Sequence, residues 1–345
     1  MTLKIHPLLN DPNAVLIYRR PVSDLPADVE FERTACEAMQ MMQIELDGKK
    51  VAIKPNVTSG EHFADPNTGI TTHPAFIGGM VRYLAQHGAR RDGIYIVEDP
   101  RDSDDFNPRH WKGTGYLEMA AATGARLRCP ISYYCVKKNV PRPFVHPVRN
   151  VTRYAVDPET ILINVPKLKT HNLAITSLCL KNLMGLDDVF DRHYCSQALQ
   201  VHFMSLDEHM KKQTMDETRH VDWQRGLAYR LADLAQVLPA HLNLVEGVVG
   251  RDGTGFNRGT NYPLGLVVGG INPVAVDSVA SFIMGFDPGR LIYLQVAAEA
   301  GLGSNDLNRL KAYVVEDGRI VPCYDLDKER ANPPFRVIRN IAGEN

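Results

Sequence analysis

No apolar run in the 345-residue chain approaches the roughly 20 residues a membrane span requires. The first residues, Met-Thr-Leu-Lys-Ile-His-Pro, lack a charged segment followed by an apolar one. A cytoplasmic protein with no membrane partner is the expectation. Charge of one sign is missing too: 39 Lys and Arg face 40 Asp and Glu, a formal net charge of -1. No global field therefore draws the chain to nucleic acid or to an anionic surface, and any affinity for anions must be local. The six cysteines (Cys36, Cys129, Cys135, Cys179, Cys195, Cys323) include no Cys-x-x-C pair and no close Cys/His spacing. That pattern argues against a ferredoxin-type cluster or a zinc site built from local sequence, and predicts reduced, mostly buried thiols. No internal repeat or low-complexity tract is present.

What the chain does have is alternation. Ala14 to Tyr18 reads as an early strand and Phe31 to Ile44 as a helix. Lys50 to Lys54 follows as a buried strand, then a helix from Pro74 to Gly88 and a strand from Gly93 to Val97. Pro74 suits a first helical turn, where its missing N–H costs nothing, and Gly88 suits the position just past a helix end. Glu98 to Trp111 is dense in Asp, Asn, Arg and Pro and reads as a loop. The strand Thr160 to Val165 leads to a turn, Pro166 to His171, and an apolar helix, Leu173 to Met184. Residues 186–220, with His193, His202, His209 and His220, read as a polar helical excursion. A helix from Trp223 to Val237, a strand from His241 to Val249, a glycine-rich loop from Gly250 to Gly259, a strand from Leu264 to Val268, a helix from Asn272 to Met284 and another near Leu291 to Ala300 follow. The prediction is an α/β fold, with a mostly parallel or mixed sheet flanked by helices. The length admits one unit, with its core at 50–305, or two lobes.

Chemistry concentrates where strands end. Lys54-Pro55-Asn56 closes a buried strand, and Pro55 forces an extended exit that cannot rejoin a central ladder. Ligands of open α/β sheets bind outside such carboxyl ends. The arrangement recurs at Pro166-Lys-Leu-Lys-Thr-His171. If that stretch is extended, Lys167, Lys169 and His171 share a face; on a helix, Ser177 and Lys181 would as well. Asn182 adds an amide that donates and accepts. Together Lys54, Lys167, Lys169 and Lys181 form a candidate site for a small-molecule anion, a carboxylate or phosphate. Crowding would depress their pKa values and make one of them, Lys54 or Lys169 first, a base or nucleophile. The alternative is that these lysines form structural ion pairs with Glu98, Asp99, Glu246 or Asp277. Asp277 is the only charge on its helix, and is expected to meet a cation of the site rather than solvent. His171 and His73 are candidate acid/base groups or ligands, and for His73 helix capping is the ordinary role. The loop Gly250 to Gly259 does not match the dinucleotide fingerprint, because a strand follows it. Its Asp252, with Glu246, is a candidate source of oxygens for a magnesium-like metal ion.

The segments Val51-Ala-Ile-Lys-Pro-Asn56, Thr72-His-Pro74, Ile163-Asn-Val-Pro-Lys-Leu-Lys-Thr-His171, Leu180-Lys-Asn-Leu-Met-Gly185 and Asn272-Pro-Val-Ala-Val-Asp277 with Met284-Gly285 resemble, in order, domain-of-unknown-function family 362. Many members of that family carry ferredoxin-like cysteine motifs, which imply iron–sulfur electron transfer; this chain lacks them. Three functional expectations follow. The first is an enzyme acting on an anionic small molecule, with the lysines binding it and His171 or a lysine moving a proton. The second is a metal- or iron–sulfur-dependent redox protein using Cys179, Cys195 and the histidines of 186–220. The third is a non-catalytic ligand-binding module. Neither a particular cofactor nor a substrate is specified by these residues.

Overall fold

The computed structural model describes residues 3–57, 66–98, 111–188, 195, 216–339, 341 and 343. The strands are β1 (Ala14–Arg19), β2 (Lys50–Pro55), β3 (Ile94–Val97), β4 (Arg126–Arg128), β5 (Cys135–Asn139), β6 (Val148–Thr152), β7 (Thr160–Val165), β8 (Lys167–His171), β9 (Ile175–Ser177), β10 (Leu242–Arg251), β11 (Asn261–Gly270), β12 (Lys311–Glu316) and β13 (Arg319–Pro322). The helices are α1 (Asp28–Met41), α2 (Pro74–Gln86), α3 (Tyr116–Thr123), α4 (Arg153–Val156), α5 (Cys179–Asn182), α6 (Glu217–Ala235), α7 (Pro273–Met284) and α8 (Ile292–Glu299). Eleven strands form one mixed sheet in the order β13-β12-β1-β11-β10-β7-β2-β3-β4, with β8 branching from β10 and carrying β9; β5 and β6 pair separately. The protein is therefore α/β. From β10 through β7, β2 and β3 to β4 all pairs are parallel, whereas β1–β11 and β10–β11 are antiparallel. Among the described residues no helix is long and apolar enough to cross a membrane.

Alternation sorts the strands onto two faces. Val51 and Ile53 of β2 and Ile161, Ile163 and Val165 of β7 join α1, α2 and Trp111 in one core. Ala52 and Leu162 point the other way, into a core with Trp223, Leu227 and Leu231 of α6 and Leu294 of α8. A third core packs α7 against Val15, Ile17, Val245 and Val268. Every residue of β7 and β10 is buried, as central strands covered on both faces require. The ends of α2 follow the sequence rules. Pro74 starts it, His73 caps it by accepting from Ala75 N, and Gly88 (φ +88°) turns the chain where a Cβ would strike the Leu46 carbonyl.

Two expected elements differ. Pro166 to His171 is not a turn: residues 167–171 are β8, which continues the line of β7 and pairs with the far half of β10, Glu246 opposite Lys167 and Arg251 opposite Lys169. Pro166 has no N–H to give, but its carbonyl accepts from Glu246 N, so the ladder passes over it. Leu173 to Met184 is not one helix either. The chain first returns as β9, with Ser177 opposite Lys169, and only Cys179–Asn182 closes a helical turn. Ser177 and Lys181 therefore share no helix face. β12, β13 and the β5–β6 hairpin were not read from sequence. Of the 186–220 excursion only 186–188, 195 and 216–220 are described, the last running into α6. Asp99, His193, His202 and His209 lie outside the described residues.

Candidate functional site

The parallel strands finish where β2 ends at Pro55, opposite Val165, and β7 continues alone as β8 beside β10. That divergence gives the centre two halves, one on each face of the sheet.

On the α6 side, register aligns Lys54 with Asn164 and Asn164 with Asn243, a polar row across β2, β7 and β10. Lys54 Nζ donates to Glu98 Oε2 (2.6 Å), to the Pro55 carbonyl (2.7 Å) and to Asn182 Oδ1 (3.2 Å). Asn182 returns Nδ2 to the Lys54 carbonyl and to Asn164 Oδ1, and Asn164 Nδ2 passes on to Asn243 Oδ1. Lys54 is 1% exposed, so its ammonium depends on these acceptors. Gly185 lies directly against the pair: a Cβ there would run into Glu98 Oε1 and Lys54 Nζ.

On the α2 side, Lys167 Nζ pairs with Glu246 Oε2 at 2.6 Å, both fully buried. Glu246 also accepts from His73 N (3.3 Å) and Val248 N (2.9 Å). Burial pushes the Lys167 pKa down while Glu246 pulls it back. Thr72 ties the strand ends together, accepting from Asn56 N (2.9 Å) and donating to the Val165 carbonyl (2.8 Å), and Tyr116 donates to the Thr72 carbonyl.

Beyond these two neutralised pairs stand cations of a different kind. Lys169 is 1% exposed, and its one hydrogen bond goes to the Ile70 carbonyl (2.9 Å), with the Phe256 ring 4.5 Å beneath its Nζ. Arg251, its register partner, donates to the carbonyls of Phe256 (2.6 Å) and Thr68 (3.1 Å) and to Asn261 Oδ1 (2.8 Å). Among the described residues Lys181, on α5, forms no side-chain hydrogen bond or ion pair. None of the three forms an ion pair among the described residues. Burial, then the charges of Lys181, Lys167 and Arg251, hold the Lys169 amine well below the ordinary lysine range. Such lowering brings the Lys169 amine closer to its neutral, nucleophilic form than an exposed lysine is.

The other expected residues serve the scaffold. Asp277 does not meet a cation: its oxygens accept from Cys179 N (2.7 Å) and Leu180 N (3.0 Å) and so fix the turn that carries Lys181 and Asn182. A carboxylate is useful there because those first N–H groups have no other partner. Burial raises its pKa to about 7. Asp252 spends its oxygens on Thr260 N (2.6 Å), Tyr262 Oη (3.0 Å) and Arg336 N (3.2 Å), closing the glycine-rich hairpin. His171 Nδ1 accepts from Leu173 N and Ala174 N and shapes the β8–β9 turn. His73 is buried, stacks on Phe31 at 3.7 Å, and burial drops its pKa to about 3, so it is neutral. Among the described residues no group of three or more His, Cys, Asp or Glu is placed to hold a metal ion. Of the six cysteines, Cys129, Cys135 and Cys179 are buried and Cys36, Cys195 and Cys323 partly exposed, and burial raises the Cys179 thiol pKa well above its ordinary value.

Arg251, Asn164 and Asn243 were not singled out from sequence. The signal for the asparagines was present as an amide inside each fully buried strand, Thr160–Val165 and Leu242–Arg251.

The sequence model of the family described as domain of unknown function DUF362 matches residues 51–281, a span holding both ion pairs and all three unpaired cations. This chain belongs to that family. No curated protein matches it. The DUF362 match begins in β2 and ends within α7, so it takes in β2 to β11, with every strand that lines the centre.

Proposed function

We propose that this DUF362 protein is an enzyme that binds a small anionic molecule, a carboxylate or phosphate, at the carboxyl ends of β2, β7 and β8. One observation supports the reading: among the described residues Lys169, Lys181 and Arg251 form no ion pair, while the neighbouring Lys54 and Lys167 each form one. Uncompensated buried charge is costly, and a bound anion is what relieves it. In this scheme the carbonyls of Thr68 and Ile70, which now accept from Arg251 and Lys169, hold the places of ligand oxygens and yield them when the anion enters. Lys181 and Arg251 supply charge, Arg251 with a planar fork suited to a carboxylate or phosphate. The Lys169 amine, its pKa lowered by burial and by the neighbouring cations, takes a proton from the bound molecule or attacks it. Lys54–Glu98 and Lys167–Glu246 form rigid walls and keep the strand ends apart.

Calorimetric titration with inorganic phosphate and with pyruvate tests this. Saturable binding to the wild type, weakened roughly tenfold or more in Lys181→Met by loss of one nearby charge, is the expected result. Absence of saturable binding by either anion contradicts the reading.

A further inference from the structure

The net charge of -1 conceals one segment of a single sign. Residues 119–156 hold seven lysines and arginines and no aspartate or glutamate. In the fold this stretch supplies β4, the last strand at one edge of the sheet, and runs on through the β5–β6 hairpin into α4. The carboxylates that border it are engaged: Asp92 with Arg90 (2.8 Å), Asp157 with Lys50 (3.1 Å), Asp187 with Arg149, and Asp188 with Ser132 (3.0 Å) and Asn150 (2.6 Å). Among the described residues Arg126, Arg128, Lys137, Lys138 and Arg153 form no ion pair, and Arg126, Lys137 and Arg153 are exposed.

Aromatic rings are interleaved with these cations. Tyr95 of β3 stands opposite Arg126 in the ladder, and the Arg128 guanidinium lies over both Tyr95 and Tyr154, 5.6 and 5.9 Å from their centroids. The rings run on from Tyr95 to Tyr154 (5.1 Å), Tyr134 (5.9 Å) and Tyr133 (5.0 Å), and exposure reaches 42% at Tyr134 and 82% at Tyr133. Charge on an edge strand guards against pairing with another sheet, and that alone would account for Arg126. It does not account for tyrosines left in solvent beside it, since exposed rings invite the association that charge discourages. Cations and open π-faces together suit one kind of partner, a chain of phosphates that also carries flat, unstacked bases. An acidic peptide would use only the cations, an anionic membrane is met by an apolar face rather than a row of hydroxyl-bearing rings, and a duplex hides its base faces. We propose that the β4 edge and the β5–β6 hairpin bind single-stranded nucleic acid, with Tyr133 and Tyr134 stacking on bases and Arg126, Lys137, Lys138 and Arg153 meeting phosphates. Neither Lys169 nor Lys181 is needed for it.

Fluorescence anisotropy of a fluorescein-labelled single-stranded oligouridylate, titrated with the whole protein, tests this. Expected is saturable binding, tighter than that of a duplex of the same length. Tyr133 is open to solvent, so its removal leaves the core intact. Tyr133→Ala is expected to weaken binding about fivefold or more, the loss of one stacked base, while Tyr133→Phe keeps it. Four phosphate contacts predict a slope of about -3 in log affinity against log salt, and Lys137→Ala is expected to reduce that slope by about 0.7. Absence of saturable binding, or Tyr133→Ala binding as tightly as the wild type, overturns the proposal. Displacement of the oligonucleotide by poly-glutamate as readily as by unlabelled oligouridylate overturns it in favour of an acidic peptide. Binding to phosphatidylserine vesicles with none to the oligonucleotide overturns it in favour of a membrane surface.

Discussion

Lys169 and Arg251 face each other across the β8–β10 ladder, and both donate to the same short segment, Lys169 to the Ile70 carbonyl at 2.9 Å and Arg251 to the Thr68 carbonyl at 3.1 Å. Neither touches a carboxylate. Two residues earlier on β8, Lys167 does, at 2.6 Å from Glu246. The two lysines are alike in sequence and burial but opposite in what their removal does. Lys167→Met strands Glu246 and is expected to cost about 3–5 kcal/mol. Lys169→Met strands only one carbonyl and removes a buried amine, so stability stays within about 1 kcal/mol of wild type or rises. Urea unfolding of both variants checks the contrast; equal losses contradict it.

Gly185 is the second test of the frame. Its missing Cβ leaves room for the ends of Lys54 and Glu98, which have no other place to go. Gly185→Ala is expected to destabilise by about 1–3 kcal/mol through overpacking. The penalty should shrink in a Lys54→Met, Glu98→Gln background, where no ion pair resists displacement. An unchanged penalty in that background would remove the pair from the explanation.

Acid and base act on this fold in opposite directions at two residues. Asp277, ordinarily at 3.8, is raised to about 7 by burial, so the folded chain keeps a proton that the unfolded chain has released between those values. Its contribution falls as pH rises from 3.8 to 7. His73, ordinarily at 6.5, is lowered to about 3, so the unfolded chain gains a proton the folded one refuses, and stability falls as pH drops from 6.5 to 3. In Asp277→Asn only the histidine slope remains. The stability difference between wild type and Asp277→Asn is expected to move against the wild type as pH rises from 3.8 to 7, by up to about 1.4 kcal/mol per pH unit. A difference independent of pH would refute this.

Anion binding should also take up protons. A negative ligand beside Lys169 favours its ammonium form, so over the range in which Lys169 titrates the complex binds protons that the free protein does not. The observed binding heat of phosphate is expected to vary with the ionisation enthalpy of the buffer in the wild type and to lose that dependence in Lys169→Met. Buffer-independent heats for the wild type across that range would contradict a lowered Lys169 pKa.

Much of this arrangement was legible in the sequence, and for physical reasons. Pro55 and Pro166 stand at the ends of two buried strands, β2 and β7, and the lysines beside them lie at the carboxyl edge. The pairing of Lys54 with Glu98 and of Lys167 with Glu246 was visible only as one alternative, because which acid meets which lysine depends on strand order. Register explains the rest of what was missed. Asn164 and Asn243 become one row only once β7 is known to lie between β2 and β10. Arg251 becomes a neighbour of Lys169 only because β8 runs on past Pro166, where the proline and the lysines had suggested a turn. Asp277 was expected to meet a cation of the site, but its partner is the backbone of α5, a four-residue turn too short to show helical periodicity.

The central claim is that Lys169, its amine held below the ordinary lysine range by burial and neighbouring cations, awaits an anion. Following lysine side-chain carbons by NMR through a pH titration, with the Lys169 signal assigned by Lys169→Met, tests it most directly. The account predicts that Lys169 titrates well below the surface lysines and moves upward when inorganic phosphate is added. A Lys169 that titrates with the surface lysines and ignores phosphate would contradict it.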